Sequence, residues 1–221
     1  MLREIRITPS ILNADLANLD QEIALIAEAS DFLHLDIMDN IFVPNFTYDF
    51  ATAQELVSNC PIPVDAHLMV ADADRIGPQY AEIGCASVTV HAEATLEIGQ
   101  TLKQIRRAGA RAGLAVKPET EILDYANFSE FVDMFLIMTV EPGFGGQSFM
   151  LEMLAKIERA RSMIGTRPIW LQVDGGISES TIEMATKAGA DTFVAGSAVF
   201  KSVDPASVVK GLRDLAQSVP D

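Results

Sequence analysis

The chain has two cysteines in 221 residues, and its cations are scarce: 16 Lys and Arg stand against 31 Asp and Glu. Two thiols, Cys60 and Cys85, cannot supply a disulfide framework for a chain this long, and their spacing is unlike a zinc ribbon. Buried, inert thiols in a reducing compartment are expected. The formal charge of −15 argues against nucleic acid and against anionic membrane surfaces, because either partner calls for a basic patch. No apolar run approaches membrane-spanning length, and residues 1–8 show no apolar stretch followed by a cleavage site. A soluble, cytoplasmic protein with no membrane partner is expected. With 49% hydrophobic and 21% charged residues, residues 1–221 suffice for one large core in a single domain.

What the chain does have is a set of polar residues at strand spacing. His34-Leu35-Asp36-Ile37-Met38 and Asp65-Ala66-His67-Leu68-Met69 put a carboxylate, an imidazole and a thioether at alternate positions. Side chains alternate across a strand, so these groups share one face and Leu, Ile or Ala take the other. Trp170-Leu171-Gln172-Val173-Asp174 repeats the pattern and runs into Gly175-Gly176. Carboxylates inside apolar strands are costly unless paired or bound to a cation, so the histidines and aspartates of these segments suggest a divalent metal site. Met38, Met69 and Met138 offer apolar walls around it, or plain packing.

A weak repeat organises the rest. Near Ala29, Gly84, Gly109 and Gly189 a helical pattern stops at a small residue and an apolar strand follows. Strands are expected near 5–9, 32–38, 64–69, 87–91, 112–116, 134–140, 169–174 and 192–196. Helices are expected between them, with Thr95, Ser148, Ser178 and Asp204-Pro205 as starts. Parallel strands joined by helical crossovers, eight in about 220 residues, fit an α/β fold of the (β/α)8 TIM-barrel type. A doubly wound open sheet is the alternative. In a barrel the C-terminal strand ends carry the site, where Asp36 and Asp174 would flank a bound molecule from opposite sides.

Three late turns are rich in glycine: Pro142-Gly143-Phe144-Gly145-Gly146, Asp174-Gly175-Gly176 and Ala195-Gly196-Ser197. Glycine lets a backbone approach a phosphate closely, and helix N-termini opening near Ser148, Ser178 and Ser197 would add amide donors. These loops contain no Lys or Arg, so backbone amides are expected to hold the anion.

Together, Pro9-Ser10-Ile11-Leu12, His34 to Asp39, Phe42-Val43-Pro44-Asn45, Asp65 to Met69, Val90-His91-Ala92-Glu93, Met138 to Phe149 and Val173 to Ile177 resemble the ribulose-phosphate 3-epimerase family. The resemblance runs from about Ile7 to Phe200. It implies a ribulose-phosphate-binding barrel that inverts C3 of D-ribulose 5-phosphate to give D-xylulose 5-phosphate in the pentose phosphate pathway. It also implies one divalent ion (zinc, iron(II), manganese or cobalt) on His34, Asp36, His67 and Asp174, with Asp36 and Asp174 as the acid–base pair. Ser10 and His67 would touch substrate. Gly143, Phe144, Gly145, Gly146, Gly175, Gly176, Gly196 and Ser197 would meet the phosphate, and a homo-oligomer is expected.

The chemistry is coherent. Inverting a carbon beside a carbonyl needs a base on one face and an acid on the other, and a cation can stabilise the enediolate between the two steps. Asn40 stands where the family usually has Gly, and Asn tolerates a left-handed backbone. Ile41 and Tyr48-Asp49-Phe50 also depart from the common pattern. Two alternatives are an epimerase of a six-carbon ketose phosphate such as D-allulose 6-phosphate, and a Schiff-base aldolase using Lys117.

Overall fold

The computed structural model describes residues 4–220; residues 1–3 and 221 of the expected domain lie outside the described residues. Among the described residues there are eight strands: β1 (Arg6–Pro9), β2 (Leu33–Met38), β3 (Val64–Met69), β4 (Ser87–His91), β5 (Arg111–Val116), β6 (Met134–Met138), β7 (Trp170–Asp174) and β8 (Thr192–Ala195). They form one parallel sheet in the order β1-β8-β7-β6-β5-β4-β3-β2. A bridge between Ser10 and His34 joins its two edges, so the sheet is a nearly closed barrel and not an open one.

Helices cover the outside: α1 (Leu19–Ile26), α2 (Phe50–Asn59), α3 (Ala73–Glu82), α4 (Ile98–Arg107), α5 (Met153–Ile164), α6 (Ile182–Ala188), α7 (Ser197–Phe200) and α8 (Pro205–Gln217). Every residue of β2 and β3 is buried, because one face packs against helices and the other fills the barrel. Leu33, Leu35 and Ile37 belong to the outer core shared with Ile23, Ile26 and Leu68, each such side chain stabilising the fold by about 1.5–3 kcal/mol.

Several helix starts differ from expectation. The connection after β5 is a 3-10 turn over Ile122–Phe128, not an α-helix. Helix α4 begins three residues after Thr95, whose hydroxyl donates to the His91 carbonyl, while Asp74 of α3 accepts from the amides of Leu96 and Glu97. Asp204 does cap α8, accepting from the Ser207 amide.

The helix-to-strand repeat acquires a physical meaning at the N-terminal end of the barrel. Asp31 accepts from the Ile7 amide and pairs with Arg213 of α8 at 2.8 Å; Asp133 accepts from the Ala112 amide and pairs with Arg106 of α4; Asp191 accepts from the Leu171 amide and pairs with Arg161 of α5. Each carboxylate thus ties a neighbouring strand to a helix, and breaking one such charge-assisted bond costs on the order of 1–3 kcal/mol. Trp170 lies between the guanidinium groups of Arg6 and Arg111, each 3.9 Å from a ring centroid, which gives this residue a packing role. The cysteines are unpaired, and burial pushes the Cys85 thiol up to about 12, which keeps it inert.

Candidate active site

At the opposite end of the barrel, strand register places His34 beside Asp65 and Asp36 beside His67. Alternation turns all four inward. Asp174, at the end of β7, completes a group in which one donor atom from each of His34, Asp36, His67 and Asp174 lies within 4.8 Å of the others. His34 Nε2 stands 3.4 Å from Asp36 Oδ1 and 3.9 Å from Asp174 Oδ2, and His67 Nδ1 stands 3.0 and 3.5 Å from the same two oxygens.

Two observations fit this group to a divalent ion. The first is that His34 Nε2 is buried with no hydrogen-bond partner among the described residues, facing two carboxylates. The second is spacing, since donors roughly 2 Å from a common ion lie about 3–3.5 Å apart. Mixed imidazole and carboxylate donors suit zinc, iron(II), manganese or cobalt. The other nitrogen of His34, Nδ1, is 2.9 Å from Asp65 Oδ2, and Gln172 donates to the same oxygen. A carboxylate there fixes the His34 proton on Nδ1 and leaves Nε2 as the donor.

The electrostatics are those of a tightly paired buried cluster. Burial disfavours charge on His34 and His67, yet the carboxylates outweigh it and hold both imidazoles above their ordinary range. Burial likewise opposes ionisation of Asp36, but His34 and His67 hold its carboxyl well below the usual range. A cation in the middle would replace protons on the imidazoles as the partner of the two carboxylates.

Above this floor opens a cleft of about 510 Å³, its mouth included. Its walls bring together most of the residues expected to meet substrate: Ser10, Gly143, Phe144, Gly145, Gly146, Gly175, Gly176, Gly196 and Ser197, with Asp36 and Asp174 below. Met38, Met69 and Met138 also line it. Ser10 donates to Asp36 Oδ2 at 2.6 Å. His67 is fully buried and does not line the cleft, so its place is with the metal-facing groups and not on the wall.

The helix N-termini expected near Ser148 and Ser178 are displaced. Residues 147–150 are non-helical because the Met150 amide donates to the Thr139 carbonyl, and α5 begins only at Met153. At Ser178 a side-chain turn with Thr181 precedes α6. Helix α7, opening at Ser197 with Gly196 as its cap, is the one that abuts the cleft among the described residues.

The late glycines differ in what surrounds them. Gly176, at φ +67°, has the Phe149 backbone nitrogen 2.3 Å from where a Cβ would sit, so the Gly175-Gly176 turn is packed against the 147–150 segment. Gly146, at φ +75°, faces open space with Lys201 Nζ 3.8 Å from the same point. Although those loops lack cations in sequence, the chain just after α7 thus brings one beside them.

Asn13 was not anticipated. A Cβ on Gly145 or Gly196 would come within 2.5 or 2.9 Å of its amide oxygen, so this side chain wedges between two of the glycine loops and lines the cleft. Its signal in sequence is only that it closes the 3-10 turn capped by Ser10. Asn40 adopts φ 59°, so the turn after β2 keeps its left-handed residue without glycine. Lys117 is not among the residues of the cleft wall; its ammonium sits 3.8 Å over the Phe42 ring.

Comparisons with known proteins bear on the family and the fold. A ribulose-phosphate 3-epimerase of Mycobacterium leprae is 48% identical over 215 residues, covering 96% of each chain. The ribulose-phosphate 3-epimerase of Escherichia coli is 40% identical over 218 residues, again covering 96% of each. Among solved structures, KGPDC from Streptococcus mutans superposes with a TM-score of 0.75 at 15% identity over 99% of this chain and all of that one, a likeness of fold alone. The profile of the ribulose-phosphate 3 epimerase family matches residues 6–200, from β1 through α7 and every residue of the cleft described above, and the chain belongs to that family.

Proposed function

We propose that this enzyme interconverts D-ribulose 5-phosphate and D-xylulose 5-phosphate by moving a proton at C3 between Asp36 and Asp174, acting as one barrel domain over residues 1–221. The observation that carries the proposal is the convergence of these two carboxylates, from β2 and β7, on one cleft floor through the same His34–His67 pair.

In this reading His34 Nε2, His67 Nδ1, Asp36 Oδ1 and Asp174 Oδ2 hold a divalent ion. When bound, the ion supplies Lewis-acid stabilisation of the negative charge that develops on the substrate's oxygens. Each aspartate has two carboxylate oxygens, so each can face the imidazole pair with one and carry the C3 proton on the other. Asp36 Oδ2 is aimed by the Ser10 hydroxyl, and the Asp174 side chain, at 16% exposure against 5% for Asp36, reaches further into the cleft. One carboxylate takes the proton from its face, the other returns a proton to the opposite face, and the roles reverse for the reverse reaction. The glycine loops and the N-terminus of α7 offer backbone amides to the phosphate and so position C3 between the two carboxylates. The methionine walls limit access of water to the intermediate.

Incubation with D-ribulose 5-phosphate in heavy water tests substrate, carbon and reaction together. Deuterium at C3, with D-xylulose 5-phosphate accumulating, is the expected result; deuterium elsewhere or no product refutes it.

A further inference from the structure

The His91-Ala92-Glu93 stretch is part of the family resemblance, yet neither His91 nor Glu93 lines the cleft or belongs to the metal-facing group. What the structure does with them is seen behind His67. His67 points Nδ1 at the two aspartates, and its other nitrogen, Nε2, meets His91 Nε2 at 2.9 Å. Two imidazole nitrogens at that distance share a single proton, since two N–H groups would collide and two lone pairs would repel. For His67 Nδ1 to offer a lone pair to an ion, the proton must sit on His67 Nε2. His91 Nε2 is then the acceptor, and neutral His91 carries its own proton on Nδ1.

That proton has a partner. His91 Nδ1 is 3.2 Å from Glu93 Oε2, and Glu93 Oε1 accepts from the Lys117 amide at 2.8 Å. A carboxylate is an acceptor on both oxygens, so Glu93 satisfies both N–H groups at once. The rings are held in place as well. His91 is fully buried, with His67 at a centroid distance of 5.0 Å and Phe42 at 4.9 Å. His34 has its tautomer set directly by Asp65, whereas His67 has a second histidine interposed.

We propose that Glu93, acting through His91, sets the tautomer of His67 and so keeps Nδ1 free to hold the divalent ion; Glu93 and His91 are positioning residues for the metal site. The inference rests on the metal-dependent reading given above.

Glu93→Gln is the discriminating substitution because it keeps size but has only one acceptor arm. If its carbonyl serves the Lys117 amide, its NH2 faces His91 Nδ1, which must become an acceptor; the proton moves to His91 Nε2 and the His67 proton is driven onto Nδ1, where the ion binds. If its carbonyl serves His91, NH2 and the Lys117 N–H oppose each other. The zinc affinity of the folded protein, measured by competition with a chromophoric chelator, is expected to fall roughly 10–100-fold. A role confined to packing would lower the melting temperature of metal-free protein and leave zinc affinity where it was. Affinity equal to that of the unsubstituted chain therefore overturns the proposal while leaving the metal site standing, and failure of the unsubstituted chain to bind zinc overturns both.

A second measurement needs no variant. In zinc-loaded protein labelled with 15N-histidine, two-bond 1H–15N correlation is expected to place the His91 proton on Nδ1. Finding it on Nε2 overturns the proposal.

Discussion

Gly146 and Gly176 both have left-handed backbones and both line the cleft, yet the structure predicts that the same substitution at the two positions fails in different ways. Placing an alanine in the left-handed region costs about 1–2 kcal/mol at either site. At Gly176 the new Cβ would also lie 2.3 Å from the Phe149 nitrogen and 2.7 Å from its Cα, backbone atoms that must move. Overpacking of this kind adds about 1–3 kcal/mol, for a total of about 2–5 kcal/mol. At roughly 2–4 °C per kcal/mol for a chain of this size, Gly176→Ala should lower the melting temperature by about 4–20 °C, and Gly146→Ala by about 2–8 °C.

Activity should run the other way for the surviving folded protein. A methyl on Gly146 projects into open cleft where the nearest heavy atom is Lys201 Nζ at 3.8 Å, so it would obstruct a phosphate bound as proposed and not the fold. Loss of one charge-assisted amide bond, about 1.5–3 kcal/mol, lowers kcat/KM for D-ribulose 5-phosphate by roughly 10–100-fold. Thermal melts and steady-state kinetics on the two variants, with metal content measured alongside, provide the assay. Equal losses of melting temperature would refute the packing argument. An unchanged kcat/KM in Gly146→Ala would refute a phosphate site at that loop.

Exhaustive chelation should abolish turnover and a divalent ion should restore it, with His34→Ala reducing metal content in a protein that still melts cooperatively; full activity in metal-free protein would contradict the ligand set. Asp174→Asn should stop interconversion while Asp36 continues to exchange the C3 hydrogen of one epimer with heavy water, and equal exchange in both epimers, followed by NMR, would contradict the two-base scheme. Asp39 accepts from the amides of Ile41, Phe42 and Ala71, and although burial opposes it, these bonds hold its carboxyl below the ordinary 3.8. A depressed folded-state value means that its stabilisation is fully present above pH 3.8 and is lost as pH falls through the lowered value. Because solvent screens this partly exposed carboxylate, Asp39→Asn should cost only about 0.5–1 kcal/mol in urea unfolding at neutral pH. The gap to the unsubstituted chain should shrink in acid, and a gap independent of pH would show that the charge is not what anchors this loop.

The eight strands and the inward-facing His34, Asp36, His67 and Asp174 were legible because strand geometry has a period of two, and a local pattern of two suffices to say which side chains share a face. The glycine loops were legible for a similar reason, since Gly at a strand end signals a backbone conformation that other residues avoid. Helix starts were less so. Thr95 and Ser148 are good caps in isolation, but the His91 and Thr139 carbonyls accept hydrogen bonds from these stretches only once the strands are in place. Asp74, a side chain from another helix, accepts from the Leu96 and Glu97 amides just ahead of α4 and holds the chain there.

Sequence by itself determined the residue types, their alternation and the late glycines, and hence the barrel and the chemistry its strand ends can perform. Closure of the barrel decided the rest. It alone set His91 against the back of His67, wedged Asn13 between Gly145 and Gly196, brought Lys201 beside Gly146 and carried Lys117 out of the cleft. These pairings join residues tens to more than a hundred positions apart, and their distances depend on strand register and crossover length, which no local periodicity encodes.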